Sequence, residues 1–478
     1  MKHHPISLTS LALLCAMGLS ARQKPNIVYI LADDLGYGDL SCYGQKRFQT
    51  PNIDKLTRQG MMFTQHYSGC PVCAPSRSSL LTGLTTGHTP IRGNKSWQDE
   101  GQYPLPAQSF TIAEMLKSAG YVTGAFGKWG LGSPASEGDP NNQGFDQFYG
   151  YNCQSLAHNY YPDHLWDNQT KVILKGNSGT QSTEYAPTLI HQKALQFIDK
   201  NKDKPFFLFY PTTIPHAELV APKENMKEFR RKLLPEKAYK GAEPGSPNYR
   251  KGPYGSQPEV HAAFAAMITL LDRQVGEIVA ELKKLGLYKN TIIIFSSDNG
   301  PHIEGGADPE YFDSNGPLKG YKRDLYEGGM REPMIVSWPG EIAAGTKSDL
   351  ISAFWDIMPT FAEIVGVKAP ENIDGISLLP TLLGKPGQKQ HTSMYWEFHE
   401  NNGRQAVRMG DWKLVRYNVS VPEKMTTELY NLKSDLGEEH NVASQNPQIV
   451  DKMLRIMEQS RVPSPIFNFG KESSAGKD

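Results

Sequence analysis

The stretch SGCPVCAPSRSSLLTG, residues 68–83, places Cys70 and Cys73 in C-x-x-C spacing, and Cys73 also opens a C-A-P-S-R pentapeptide ending at Arg77. Such a pair could be a redox couple, half of a zinc site, or incidental to a chemistry that uses Cys73 and Arg77 alone. A structural zinc site needs about four nitrogen or sulfur ligands, usually as two pairs, and no second C-x-x-C occurs. A thioredoxin-like couple belongs in a much smaller βαβ setting and leaves Arg77 without a role. Elsewhere, Asp33-Asp34 and Asp298-Asn299 offer only oxygen ligands, three of them anionic. That set suits a hard cation, Ca²⁺ first and Mg²⁺ second. Either pair alone reads as a solvated turn. Together, each at the end of an apolar run, they read as a metal cage.

Those runs must place the acids. PNIVYILADD, from Pro25, is a short β-branched and aromatic segment ending in two acids, as in a buried strand with functional groups at its carboxyl end. Similar strands are expected at YVTGAFG from Tyr121, PFFLFYP from Pro205, TIIIFSSDNG from Thr291 and PMIVSWPG from Pro333. Helical segments lie between them. TIAEMLKSAG carries a Thr111–Glu114 capping box, and residues 261–286 show apolar positions at three-to-four spacing. The alternation predicts an α/β fold with a mostly parallel sheet flanked by helices, in which ligands bind at the carboxyl ends of the strands.

Beyond about residue 380 short, alternating, aromatic-rich strands precede one helix, PQIVDKMLRIMEQS, which predicts a small antiparallel subdomain. The expected layout is a signal peptide over residues 1–21, a catalytic domain over 24–378 and a C-terminal α+β subdomain over 379–478. Residues 223–258, dense in Lys, Glu, Pro and Gly, read as a surface insertion, and the tail FGKESSAGKD as frayed.

Composition narrows the partners. Across 478 residues, 50 Lys and Arg balance 50 Asp and Glu, so no global field attracts nucleic acid or an anionic membrane. The charge-poor segment PISLTSLALLCAMGLSA reads as a secretory signal cleaved near Ala21, and no later run is apolar enough to span a bilayer. Export to the periplasm or the medium is expected, without stable membrane insertion. The four remaining cysteines, Cys42, Cys70, Cys73 and Cys153, allow at most one disulfide if one of them serves chemistry.

Cys73-Ala74-Pro75-Ser76-Arg77 followed by SSLLTG resembles the signature of type I sulfatases, in which the cysteine is oxidised to formylglycine. The segments ADDLGYGDLSCYG, TPNIDKLTRQG, GKWGLG, SDNGPH, KRDLYEGGMREP, GDWKL and ELYNLKSDLGEEHNVA resemble the same family, in its order. The resemblance spans nearly the whole mature chain. It implies an alkaline phosphatase-like fold and a sulfate ester hydrolase, with Ca²⁺ held by Asp33, Asp34, Asp298, Asn299 and residue 73. It further implies that the hydrated aldehyde of residue 73 attacks sulfur and is oriented by Arg77. Lys128 and Lys322 then grip sulfate oxygens, and His216 protonates the leaving alcohol. A formylglycine-generating maturation enzyme is the implied partner.

Gly130 departs from the family pattern G-K-W-H-L-G, whose histidine helps expel sulfate; His302, His88, or else another group or water is the expected substitute. For a sulfated carbohydrate substrate, the mixed aromatic and polar stretches 153–168 and 395–405 nominate His158, His164, Trp396 and His399. The nearest rival activity is phosphate or phosphonate ester hydrolysis on the same fold, where Asp-His commonly stands in place of Asp298-Asn299. A catalytically silent sugar-binding protein is the rival from another class.

Overall fold

The computed structural model describes residues 24–98 and 100–470. The expected signal peptide and the last eight residues of the tail lie outside the described residues. Eleven strands form the main sheet: β1 (Asn26–Asp33), β2 (Met61–Tyr67), β3 (Val122–Lys128), β4 (Gln147–Tyr151), β5 (His164–Asp167), β6 (Thr170–Ile173), β7 (Phe206–Pro215), β8 (Thr291–Ser297), β9 (Arg331–Ser337), β10 (Thr346–Ser348) and β11 (Ser352–Ala353). Their order is β10-β2-β9-β8-β1-β7-β3-β4-β5-β6, with β11 also beside β2.

The central strands β8, β1, β7, β3 and β4 run parallel. β9, drawn from PMIVSWPG, instead runs antiparallel to both β8 and β2. Its apolar run is shared by any strand buried on two faces, so direction is not written in it.

Every residue of β1 is buried. Val28, Ile30 and Ala32 pack on one face with the helices Ala186–Lys200 and Val260–Lys284. Ile27, Tyr29 and Leu31 pack on the other with Cys73–Thr82, Ile112–Ser118 and Ile357–Val365. The period of two thus serves two cores rather than one core and solvent. The Thr111–Glu114 capping box is formed: Glu114 N–H donates to Thr111 Oγ1 and Thr111 N–H to the Glu114 carboxylate.

A second, antiparallel sheet holds β12 (Met394–Phe398), β13 (Arg404–Met409), β14 (Trp412–Tyr417) and β15 (Thr426–Asn431) in that order. Tyr395, Val407, Leu414 and Leu429 cover Met453 and Met457 of the helix Pro447–Gln459. The opposite face, with Trp396, Phe398 and Val415, packs on Tyr67, Cys70 and Val72. The small sheet therefore backs the turn that leads into Cys73. Buried ions fasten the same junction, with Lys413 Nζ 2.9 Å from Glu327 and 3.0 Å from Glu438. Residues 223–258 begin with the short helix Lys223–Met226 and are tied down by bridges pairing Tyr239 with Gln257 and Ala242 with Gly255.

Candidate active site

Four neighbouring parallel strands end on one edge of the sheet, and each end carries a polar side chain. Asp33 closes β1 and Asp34 follows it; Lys128 closes β3; His216 follows β7; Asp298 and Asn299 follow β8. Asp34 sits at φ 63°, a left-handed conformation that Asp tolerates better than most residues. The turn is pinned to the β8 end: Asp34 N–H donates to Asp298 Oδ1 at 3.1 Å and Leu35 N–H to Ser297 Oγ at 2.9 Å. Gly36 belongs there because a Cβ would lie 2.2 Å from the Ser314 carbonyl oxygen.

Cys73 is the first residue of the wholly buried helix Cys73–Thr82, whose amino end faces this edge. Its Sγ lies 3.2 Å from Asp33 Oδ1, 4.0 Å from Asp34 Oδ1 and 3.5 Å from Lys128 Nζ. The Ala74 N–H donates to Asn94 Oδ1 at 3.2 Å, which fixes the first turn. Arg77, one turn on, gives two nitrogens to Asp298 and a third to the Lys128 carbonyl. Lys128 Nζ is 2.7 Å from Asp33 Oδ2, and Lys322 Nζ donates to Asp34 Oδ2 at 2.9 Å. Lys322 also reaches His216 Nε2 at 3.2 Å. Asn299 Nδ2 donates to Asp34 Oδ1 at 2.7 Å.

Burial alone would raise the carboxyls of Asp33 and Asp34, but Lys128 and Arg77 beside the first and Lys322 beside the second hold both below the usual range. Asp298 is pushed up to about 7 by burial and by Asp33, against Arg77. Burial and the charges of Lys322 and Lys128 drive His216 well below its usual value, so it is neutral at pH 7. Its Nδ1 meets the Ala217 carbonyl at 2.5 Å, which assigns the proton to Nδ1 and leaves Nε2 to accept from Lys322. The Cys73 thiol is raised well above its ordinary value by burial and by Asp298 and Asp33. Arg77, Lys128 and Lys322 balance Asp33, Asp34 and Asp298 in formal charge.

Ligand atoms of Asp33, Asp34, Cys73 and His216 all lie within 4.8 Å of one another. Asn299 Oδ1 is buried beside them without a hydrogen-bond partner. Two carboxylates and the orphaned amide oxygen are hard donors that fit a divalent cation, whereas Asp298, expected as a fourth oxygen ligand, lies outside this group with its oxygens taken by Arg77 and the Asp34 N–H. A family model described as Sulfatase matches residues 25–367, and one described as N-sulphoglucosamine sulphohydrolase, C-terminal, matches residues 320–462.

The chain belongs to the sulfatase family.

It is accordingly a sulfuric ester hydrolase by kinship as well as by motif. Arylsulfatase A of Homo sapiens is 31% identical, covering 94% of this chain and 90% of its own. N-acetylgalactosamine-6-sulfatase of Rattus norvegicus is 33% identical over 84% of this chain and 74% of its own. The crystal structure of Ps i-CgsB in complex with k-i-k-neocarrahexaose is 31% identical with a TM-score of 0.74, covering 91% of this chain and 92% of that one.

Several nominated residues of this sulfatase lie near the cluster and others lie apart. His302 stacks on His216, with centroids 5.7 Å apart. Its Nε2 donates to the Pro215 carbonyl at 3.1 Å, while its Nδ1 faces Glu304 at 3.4 Å, an ion-pair distance without a hydrogen bond. Glu304 and the Asp34 charge lift His302 above its usual value against the opposing effect of burial. His158 also stacks on His216, with centroids 5.3 Å apart.

His88 pairs instead with Asp374 at 2.9 Å. His164 is held by Asp163 and Glu100. His399 is buried, bonded to Glu397 and stacked on Phe469. Trp396 is fully buried, donating to the Ser68 carbonyl at 2.9 Å, and supports the approach to Cys73 from behind rather than facing a ligand. Cys42, Cys70, Cys73 and Cys153 are all free thiols, so no disulfide forms among the described residues.

Three neighbours of the site escaped sequence reasoning. Glu304 lies 3.8 Å from Lys322 and pairs with Arg323. Tyr254 comes from the insertion and packs against His158 and His216. Gln154 Nε2 lies 2.5 Å from where a Cβ on Gly130 would stand, and that nitrogen is buried without a partner. The space beside Gly130 is thus filled from β4's trailing loop. Glu304 had a signal in its position two residues past His302, and Gln154 in lying within the stretch 153–168.

Proposed function

We propose that this sulfatase hydrolyses a sulfate ester on a carbohydrate, using formylglycine made from Cys73 and a divalent cation, Ca²⁺ by preference, held by Asp33, Asp34, Asp298 and Asn299. The observation that carries the reading is the placement of Cys73 Sγ within 3.2 Å of Asp33 and 3.5 Å of Lys128 at the carboxyl ends of β1 and β3. An unmodified thiol suits this site poorly, because burial and two carboxylates disfavour the thiolate that would have to attack. The hydrated aldehyde supplies a hydroxyl nucleophile instead, and a bound divalent ion supplies a Lewis acid toward sulfate oxygens.

The side chains divide the remaining work. Three cations offset three carboxylates, so a divalent ion leaves the pocket positive, as an anionic ester requires. Lys128 and Lys322 flank residue 73 and Asp34 and can take sulfate oxygens as point charges. Arg77, immobilised by Asp298, keeps residue 73 at the start of its helix. Lys322 donates toward His216 Nε2 beside the site, and a proton relayed through this pair is available to the alkoxide released when the S–O bond breaks. His302 turns its Nε2 to the Pro215 carbonyl and its Nδ1 toward Glu304, and His88 pairs with Asp374, so neither ring makes a contact with residue 73, and water or another group is the simpler base for that step.

Kinship supports the carbohydrate, since N-acetylgalactosamine-6-sulfatase and Ps i-CgsB with its bound neocarrahexaose are both over 30% identical. Export through a signal peptide and action of a maturation enzyme on Cys73 belong to the same reading. Cys73 is only 1% exposed, so that enzyme has to reach it before the fold closes. Comparing p-nitrophenyl sulfate with p-nitrophenyl phosphate tests the class. Sulfate turnover should exceed phosphate turnover by orders of magnitude; the reverse would favour the phosphoesterase alternative.

A further inference from the structure

The turn that follows β4 runs beside the strand end carrying Lys128. Lys128 pairs with Tyr151, Trp129 N–H donates to the Tyr151 carbonyl at 2.9 Å and Gly130 N–H donates to the Asn152 carbonyl at 3.0 Å, so the two segments stay joined past the edge of the sheet. At the other end of the turn His158 stacks on His216, with centroids 5.3 Å apart. The turn is thus anchored to the strand of Lys128 and to His216, the groups proposed to grip the sulfate and to protonate the alcohol.

Between these anchors comes Gln154. It is 8% exposed, and its Nε2 is buried without a hydrogen-bond partner. Its backbone is fixed, since Gln154 N–H donates to Gln102 Oε1 at 3.3 Å and Gln102 is itself buried. The amide nitrogen stands 2.5 Å from where a Cβ on Gly130 would be, so it fills the room in which a side chain two residues past Lys128 would begin. The pattern G-K-W-H-L-G carries a histidine at that position, so the arrangement is this chain's own.

A buried donor left unpaired costs stability, and it calls for a partner. Asn152, in the same turn, is fully buried with both its amide nitrogen and its amide oxygen unpaired. A donor and an acceptor together are what a buried water satisfies. On Gln154 only the donor is buried and unpaired. That suits a group that accepts and never donates, as the oxygens of an anionic ester do.

From this placement we infer that Gln154 is a further substrate-binding residue, its Nε2 donating to a sulfate oxygen of the bound ester beside Lys128. The inference rests on the proposal that Lys128 grips the sulfate. Lys128 and Lys322 act as point charges and tolerate many orientations of the group they hold. A planar amide is directional, so it fixes the rotation of the sulfate about its bond to the leaving alcohol. The contact is to the sulfate and not to the sugar, so it serves every sulfate ester alike.

The test uses Gln154→Met, which keeps the length of the side chain and removes the donor. Inorganic sulfate is titrated calorimetrically into Ca²⁺-loaded Cys73→Ala with and without Gln154→Met, and kcat/KM is measured for p-nitrophenyl sulfate and for an accepted sugar sulfate in the Cys73 background. Sulfate should bind about tenfold or more weakly without the amide, and kcat/KM should fall about 10- to 100-fold, equally on both substrates. The melting temperature should stay level or rise, because a buried unpaired donor has been removed. Sulfate affinity and turnover like those of wild type would overturn the contact while leaving the grip of Lys128 intact. A lower melting temperature accompanying the loss would assign Gln154 to packing and overturn the contact as well. Sulfate affinity unchanged in Lys128→Ala would contradict the placement of the sulfate at Lys128, and the contact with it.

Discussion

Arg77 brings two nitrogens, Nε at 3.0 Å and Nη2 at 2.8 Å, to a single oxygen of Asp298. The helix that begins at Cys73 is thereby locked to the carboxyl end of β8. Arg77→Lys keeps the charge but cannot span both contacts and the Lys128 carbonyl. It should cost about 1.5–3 kcal/mol in denaturant unfolding and reduce kcat/KM about 100-fold. Unchanged stability would mean the lock is not tight.

If His216 protonates the departing alcohol, as proposed, its importance should scale with leaving-group basicity. His216→Ala is expected to slow a sugar sulfate by about 10²–10⁴-fold. On p-nitrophenyl sulfate, whose phenolate leaves without help, the loss should be much smaller. Equal losses on the two substrates would indicate that the ring only packs against His158 and His302.

Asp33, Asp34 and Asp298 crowd one buried space, and the proposed function puts a divalent ion beside them. Chelation should abolish activity and lower the melting temperature, with Ca²⁺ restoring both. At a free ion concentration of about 100 Kd the stabilisation amounts to about 2.7 kcal/mol. A melting curve indifferent to chelator and to added Ca²⁺ would count against the cage.

His88 and Asp374 pair at 2.9 Å and form no hydrogen bond or ion pair with the described residues of the cluster around Cys73, so their ion pair should respond to pH through stability. The hydrogen bond to Asp374 raises His88 above its usual value, outweighing partial burial. A raised histidine contributes stability that is complete below its unfolded pKa, near 6.5, and disappears as pH climbs through the higher folded value. His88→Ala should therefore destabilise by up to about 1 kcal/mol at pH 5.5, the pair being partly exposed, and by less at pH 8.5. Activity at saturating substrate should stay near wild type. A pH-independent difference would exclude the ion pair, and a large kcat loss would return His88 to candidacy as a base.

Much of the site was legible because its residues sit at strand ends. Apolar runs that stop abruptly at Asp34 and Asp298 announce both the strand and the edge where ligands gather. Asp33, Asp34, Cys73, Arg77, Lys128, His216, Asp298, Asn299 and Lys322 are indeed neighbours. The direction of β9 was not legible, since pairing partners decide it rather than its own side chains. Trp396 illustrates a different limit: an aromatic among polar residues looks the same in sequence whether it meets a sugar or a second sheet. Tyr254 reaches His216 from the insertion through loop geometry that no local pattern encodes.

The most direct test is to follow p-nitrophenyl sulfate hydrolysis as a function of the chemical state of residue 73, determined by peptide mass spectrometry across preparations with and without a co-expressed maturation enzyme. Activity should rise in proportion to the fraction of residue 73 present as the aldehyde and vanish in Cys73→Ala. Full activity from a preparation in which that residue is entirely unmodified cysteine would contradict the account.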